Sequence, residues 1–115
     1  MKSSVKTLLL STVILPASIA SAFQDPGTEV LMGAQIIGRS VKILVHSGGC
    51  TWKESFSIRK SFNVRQNSTD ITFVRIIPDY CEGFFPEGRV ISFSLGDLRI
   101  RDGQSFSITN PISPN

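Results

Sequence analysis

The chain has 115 residues, of which 12 are Lys or Arg and 9 are Asp or Glu, giving a formal net charge of +3 at pH 7. Two of the lysines, Lys2 and Lys6, lie in the first 22 residues, and without that segment 10 basic residues stand against 9 acidic ones, or +1. The charges are scattered rather than gathered into a basic stripe, so we do not expect nucleic-acid binding.

Residues 1–22 have the pattern of a secretory signal peptide. Lys2 and Lys6 form a positive n-region, residues 7–15 an apolar h-region, and residues 20–22 (Ala-Ser-Ala) a small-residue cleavage site. The apolar run is much shorter than the roughly 20 residues of a membrane-spanning helix. We therefore predict export to a periplasm or the extracellular space, no membrane span, and one mature domain over residues 23–115.

The only two cysteines, Cys50 and Cys81, are predicted to form a disulfide, because exported chains meet an oxidising compartment. The bond would close a loop of 31 residues, worth about 3.7 kcal/mol in the chain-entropy model. Structural zinc sites usually show paired Cys or His spacings, and blue copper needs two His, whereas this chain has only His46. We predict no metal and no cofactor.

Alternating apolar and polar residues predict the first half of the mature chain as short strands. Residues 23–38 are interrupted by Pro and Gly, which indicates irregular structure or one edge strand. Residues 39–47 read as a half-buried strand with Val41, Ile43 and Val45 on its inner face. Gly48 and Gly49 end this strand.

Residues 50–58 show the clearest alternation and are predicted to form a strand. Its predicted inner face consists of Cys50, Trp52, Phe56 and Ile58. Glu54 falls on the same face, and Arg75 falls on the inner face of the next strand. Because a buried charge needs a partner, we predict that Glu54 and Arg75 pair across strands or that both face water.

Three further strands follow. Residues 70–79 are apolar on both faces until Pro78 and indicate a central strand. In residues 89–95 the predicted inner residues are Ile91, Phe93 and Leu95; in residues 105–109 they are Phe106 and Ile108.

Two interpretations of the segment between these last strands are open. A three-residue hairpin loop over residues 101–103, with Gly103 left-handed, pairs Leu98 with Phe106 and keeps the apolar side chains together. The competing interpretation makes residues 94–97 one helical turn, capped by Ser94 with Asp97 reaching back.

Five to seven short strands without a helix of consequence predict an all-β domain, a small β-sandwich that is immunoglobulin-like or related, with one disulfide. Trp52 is expected to pack near the disulfide, as in the cystine-and-tryptophan core of immunoglobulin domains. The order of Cys and Trp and the short Cys separation depart from that pattern. The prediction therefore covers the architecture alone.

No set of catalytic residues stands out, and we predict that the protein is not an enzyme. His46 and Ser47 are consecutive on a strand, so their side chains point to opposite faces, and no G-x-S-x-G elbow is present. A redox enzyme would favour a C-x-x-C pair, which is also absent.

The most suggestive segment is YCEGFFPEGR, residues 80–89. Phe84, Phe85 and Pro86 lie between glycines, shortly after a cysteine that would tether them. Rigid exposed aromatic side chains are typical of binding surfaces; the alternative is that the two phenylalanines fold into the core. The predicted binding residues are Phe84, Phe85, Pro86, His46 and Ser47.

These features predict an exported, non-enzymatic binding or inhibitory module that acts on another extracytoplasmic protein. The alternative hypothesis is an extracytoplasmic protein that binds a small ligand or a metal around His46 and the Cys50 region.

Overall fold

The computed structural model describes residues 27–114, and the predicted signal peptide, residues 1–22, lies outside this range. The described chain is nearly all β, with two three-stranded sheets and one 3₁₀ turn, Lys53–Ser55. The strands are β1 (Gly33–Ile37), β2 (Ser40–Val45), β3 (Phe56–Asn63), β4 (Ser68–Arg75), β5 (Arg89–Ser94) and β6 (Phe106–Ile108). Within residues 27–114, no helix is long and apolar enough to span a bilayer.

The first sheet has the order β1-β2-β5, and all its neighbours are antiparallel. The alternation predicted for residues 39–47 is confirmed over Ser40–Val45, since Val41, Ile43 and Val45 of β2 are fully buried. His46 and Ser47, predicted to belong to the same strand, lie beyond its end. Strand β1 lies at the edge of the sheet, in the segment predicted as irregular or as an edge strand. A two-residue turn joins β1 to β2, and Gly38 occupies its left-handed position with φ +56°.

The second sheet has the order β3-β4-β6, with β3 antiparallel and β6 parallel to β4. Ile71, Phe73 and Val74 of β4 are buried although they lie on opposite faces of the strand. The predicted central strand is therefore confirmed over Ser68–Arg75, but it ends before Ile76 and Ile77, which the pattern included and which are exposed.

One hydrophobic cluster draws side chains from both sheets. Phe73 of the second sheet and Phe93 of the first lie with ring centroids 4.9 Å apart. The predicted inner residues Ile91, Phe93 and Leu95 are all buried in this cluster, and Phe106 and Ile108 pack against it. Each fully buried large apolar side chain contributes about 1.5–3 kcal/mol relative to an exposed one.

The prediction for residues 50–58 is wrong in its first half. The strand begins only at Phe56, because the Trp52 amide donates to the Ser55 hydroxyl (3.0 Å) and the Ser55 amide donates to the Trp52 carbonyl (3.0 Å), which closes a 3₁₀ turn. Trp52 does not face inward: it is 50% exposed, with the guanidinium of Arg89 4.5 Å from its ring centroid. A cation over an indole face is favourable without burial of the ring.

The segment after β5 follows the competing interpretation. The Ser94 amide donates to the Asp97 carboxylate (2.8 Å), and the Asp97 amide donates to the Ser94 hydroxyl (2.9 Å), which is a reciprocal capping box. The hairpin that would pair Leu98 with Phe106 is wrong, because β6 instead lies parallel to β4, with Phe106 opposite Thr69. The Thr69 amide donates to the Ser105 carbonyl (3.0 Å) and fixes this register.

Asn110 ties the start of the described chain to the second sheet. Its buried amide group donates to the carbonyls of Glu29 and Phe73 (both 2.8 Å) and accepts from the Phe73 amide (2.8 Å). A buried amide with its groups paired stabilises, whereas an unpaired one is costly. This bridge positions Glu29 beside the C-terminal end of β4.

Candidate functional site

The candidate site is the place where residues 46–52, here called the corner, meet residues 76–88, here called the aromatic loop. The predicted disulfide between Cys50 and Cys81 is confirmed and joins the two segments, with 5.7 Å between the Cα atoms. Neither segment contains a strand, and the 3₁₀ turn Lys53–Ser55 begins directly after the corner. The disulfide therefore fixes an otherwise irregular loop to the end of β2.

Asp79 forms a second attachment between the aromatic loop and the corner. One carboxylate oxygen, Oδ2, accepts hydrogen bonds from the Gly48 amide (2.9 Å), the Cys50 amide (3.0 Å) and the hydroxyls of Thr51 (2.6 Å) and Ser47 (3.2 Å). The other oxygen, Oδ1, accepts from the Cys81 amide (3.0 Å). The Thr51 hydroxyl, followed by the backbone amides, holds the pKa of Asp79 well below its usual range. Asp79 therefore acts as a charged anchor.

Glycines allow the two backbones to approach each other. A Cβ atom at Gly48 would lie 2.0 Å from the carbonyl oxygen of Cys81, so any other residue would push the segments apart. The Gly83 amide donates to the Gly48 carbonyl (2.8 Å) and adds a backbone contact between them. Gly48 is needed here for close approach rather than for its backbone conformation.

The aromatic loop exposes large side chains despite these attachments. Phe84 is 86% exposed and Tyr80 is 85% exposed. Neither phenylalanine lies in the core, but the two differ in exposure. Phe85 is 51% exposed, and its ring lies against Gly49, where an added Cβ atom would be 3.2 Å from the ring. Phe85 thus packs on the corner, while Phe84 extends into solvent.

Acidic side chains flank the exposed aromatic residues. Glu82 and Glu87 lie on either side of Phe84 and are exposed. Across residues 27–114, the ion pairs that form involve neither of these two glutamates. The tip of the aromatic loop is therefore both apolar and negatively charged.

An open cleft of about 410 Å³ lies between the corner and the aromatic loop. It is lined by three of the predicted binding residues, His46, Ser47 and Phe85. Phe84 and Pro86 lie in the same loop but outside this lining. The five predicted residues thus lie in the corner and the aromatic loop, three of them on the cleft and two outside its lining.

The cleft also contains an ion pair that differs from the predicted one. Arg75 donates from Nε and Nη2 to the two carboxylate oxygens of Glu29 (2.9 and 2.7 Å), and both side chains are largely buried. The prediction that Arg75 pairs with Glu54 or faces water with it is wrong, since Glu54 alone is exposed. Glu29 raises the pKa of Arg75 further, chiefly through its side-chain hydrogen bond. The pair places one positive and one negative group, already bonded to each other, in the wall of the cleft.

His46 and Ser47 have different surroundings. The Ser47 hydroxyl donates to Asp79 and accepts from the Gly49 amide (2.9 Å), so it stabilises the turn. His46 is exposed, and its carbonyl accepts from Arg75 (3.1 Å). Its imidazole is thus the polar side chain of the corner that faces solvent beside the cleft.

Cys50, Asp79 and Cys81 place one potential metal-ligand atom each within 4.8 Å of one another. The disulfide occupies both sulfurs, and the hydrogen-bond donors around Asp79 already surround its carboxylate. Metal coordination needs free thiolates and a free carboxylate lone pair. This cluster therefore serves as a structural staple.

Sequence reasoning missed two features of the site. The exposure of Trp52 was hidden by an alternating pattern that is typical of a strand. Asp79 follows Pro78 and precedes Cys81 by two residues, a spacing that favours an Asx turn, and this local signal could have indicated its bond to Cys81. Its bonds to the corner depend on the fold.

Comparison of the chain with protein-family models, with curated proteins and with solved structures finds no match.

Proposed function

We propose that this protein is an exported, non-enzymatic module that binds another extracytoplasmic protein through its aromatic loop, with Phe84 as the main contact. The domain that presents the loop is a small β-sandwich in this proposal, and the hydrophobic cluster shared by the two sheets supports that architecture. The disulfide is compatible with an oxidising compartment and supports the export predicted from residues 1–22.

The observation that carries the proposal is an exposed aromatic side chain on a doubly attached loop. Phe84 leaves 86% of its surface in water, whereas the loop around it is held by a disulfide and by the five hydrogen bonds of Asp79. Ordering a flexible loop during binding costs free energy, and a loop that is already ordered avoids much of that cost. Exposed aromatic anchors dominate the affinity of many protein interfaces.

The charge of the loop favours a protein surface over a membrane. Glu82 and Glu87 would be repelled by the anionic headgroups that attract peripheral proteins, which usually present Lys and Arg instead. The matching partner surface would combine an apolar pocket for Phe84 with basic residues near its rim.

The test compares Phe84→Ser with Phe62→Ser in affinity capture from the extracytoplasmic fraction of the source cells. Phe62 is a matched control because it is 59% exposed but lies on β3, away from the aromatic loop. We expect both variants to keep the wild-type melting temperature and only Phe84→Ser to lose the captured protein. Equal capture by the wild type and Phe84→Ser would contradict the proposal.

A further inference from the structure

Strand β1 presents an open hydrogen-bonding edge. Among the described strands it pairs only with β2. Ile37 and Ser40 flank the two-residue turn and form the first hydrogen-bonded pair of this hairpin, so the backbone groups of Ala34 and Ile36 point away from β2. These groups are placed to pair with a further strand.

The other sheet edges carry features that discourage pairing. Strand β3 bears Arg59 and Lys60, and β6 is only three residues long. Strand β5 is flanked by residues 52–55, with Arg89 against Trp52 and Lys53 against Phe93. Natural proteins commonly protect open edges with charges, short strands or covering segments.

Within residues 27–114, strand β1 has none of these protections. Its sequence, GAQII, contains no charged residue and no proline. Ile36 is 52% exposed and Ile37 is 48% exposed. An uncovered, uncharged edge with exposed isoleucines is the combination that natural proteins avoid unless the edge is used.

An apolar groove accompanies this edge. Its volume is about 340 Å³, and it runs between β1 and β6. The groove is lined by Ala34, Gln35, Ile36, Phe106, Ser107, Ile108 and Ile112. Ile36 pairs with Val41, which is buried, so the Ile36 side chain lies on the core-facing side of the sheet, at the groove.

The absence of charge on β1 favours a second copy as the occupant. In a two-fold symmetric pair each residue meets residues of the same short segment, so a charged edge would place like charges opposite each other. Strand β1 is neutral, and it can pair with itself without this repulsion.

The alignment of the two β1 strands is limited by the chain segment that already occupies one end of the edge. At one end residues 111–113 already hydrogen-bond Leu31, through Leu31 N to Pro111 O (2.9 Å) and Ser113 N to Leu31 O (2.7 Å). Antiparallel pairing about Ile36 keeps the second copy clear of this segment. It places Ile36 opposite its own counterpart and Ile37 opposite Gln35, within the extended part of β1.

We propose that two copies of the chain pair through β1, antiparallel about Ile36, to form a homodimer with one continuous six-stranded sheet. The two Ile36 side chains then cover the adjoining grooves. This interface is separate from the aromatic loop, so the dimer and the proposed binding function can fail independently.

The test measures the molar mass of the mature chain by light scattering after size exclusion, over concentrations from micromolar to millimolar. We expect the wild type to reach the mass of two chains. Ile36→Lys and Ile36→Glu should each have the mass of one chain, because like charges meet across the two-fold axis. An equimolar mixture of the two variants should recover the mass of two chains.

Two controls separate this interface from folding and from the aromatic loop. Val64→Lys, at an exposed position in the β3–β4 turn, should keep the dimer, and so should Phe84→Ser. Melting curves establish that the Ile36 variants remain folded. The proposal would be overturned if the wild type had the mass of one chain at every concentration, if Ile36→Lys were dimeric, or if the mixture of the two variants stayed monomeric. Pairing of the β1 edge with a different protein alone would also overturn it.

Discussion

Removal of the disulfide by the double substitution Cys50→Ala and Cys81→Ala should lower the free energy of unfolding substantially. The bond spans 31 residues, and closing a loop of that length in the unfolded chain corresponds to about 3.7 kcal/mol in the chain-entropy model. A domain of this size has a total stability on the order of 5–14 kcal/mol. The variant should therefore remain folded but with a much smaller margin.

The loss should approach the full entropic value if the aromatic loop keeps its other attachment, because only the unfolded chain then gains freedom when the bond is removed. Asp79 still bonds the Gly48 amide and the Thr51 hydroxyl after the sulfurs are removed, provided that both segments stay in place. We therefore expect a loss of about 2–4 kcal/mol.

Urea denaturation, followed by the fluorescence of Trp52 and by far-ultraviolet circular dichroism, measures this loss directly. Trp52 is the only tryptophan and lies two residues from Cys50, so it reports on the corner, whereas the dichroism reports on both sheets. The two signals should change together if the domain unfolds in one step. A loss smaller than about 1 kcal/mol would refute the role assigned to the disulfide.

Three further predictions concern the packing and charges around the site. Gly48→Ala should destabilise the domain by about 1–3 kcal/mol, because the added methyl group would overlap the Cys81 carbonyl. The control Gly33→Ala, whose Cβ would meet its nearest neighbour at 3.9 Å, should change the stability by less than about 0.5 kcal/mol. Equal denaturation midpoints for the two variants would contradict this account. Lys53 and Ser94 lower the pKa of Asp97 to about 2, below its unfolded value of about 4, so the stabilising contribution of Asp97 is present above pH 4 and is lost as the pH falls toward 2. Between pH 4 and pH 2 the melting temperature of Asp97→Asn should therefore fall less steeply than that of the wild type. The same slope in both proteins would argue against the effect. Arg75→Met should cost about 3–5 kcal/mol because it leaves the largely buried Glu29 carboxylate without its partner, and a variant of wild-type stability in urea would show that the pair is dispensable.

Local periodicity predicted the parts of the fold in which a strand alternates between core and solvent. Val41, Ile43 and Val45 on β2 and Ile91 and Phe93 on β5 are examples, because every second side chain meets the same core. The pattern failed at Trp52, where a side-chain hydrogen bond to Ser55 formed a turn that periodicity does not detect. The parallel pairing of β6 with β4 joins residues 37 positions apart, and no local signal specifies it.

The candidate site was predictable in position but not in its supports. The cysteine pair and the Phe84-Phe85 dipeptide indicated the aromatic loop directly. The partner of Arg75 is Glu29, 46 residues away in the irregular entry segment, so an argument based on alternating strand faces could not identify it. Asp79 gathers donors from four residues of the corner, an arrangement that exists only once the disulfide and the glycines bring the segments together.

Photocrosslinking from position 84 tests the central claim most directly. A photoreactive phenylalanine analogue replaces Phe84 in one sample and Phe62 in the other, and each protein is irradiated with the extracytoplasmic proteins of its source cells. The account predicts one dominant adduct with another protein from position 84, none from position 62, and loss of the adduct when unlabelled wild type competes. Adducts of equal yield from both positions, or none from position 84, would contradict it.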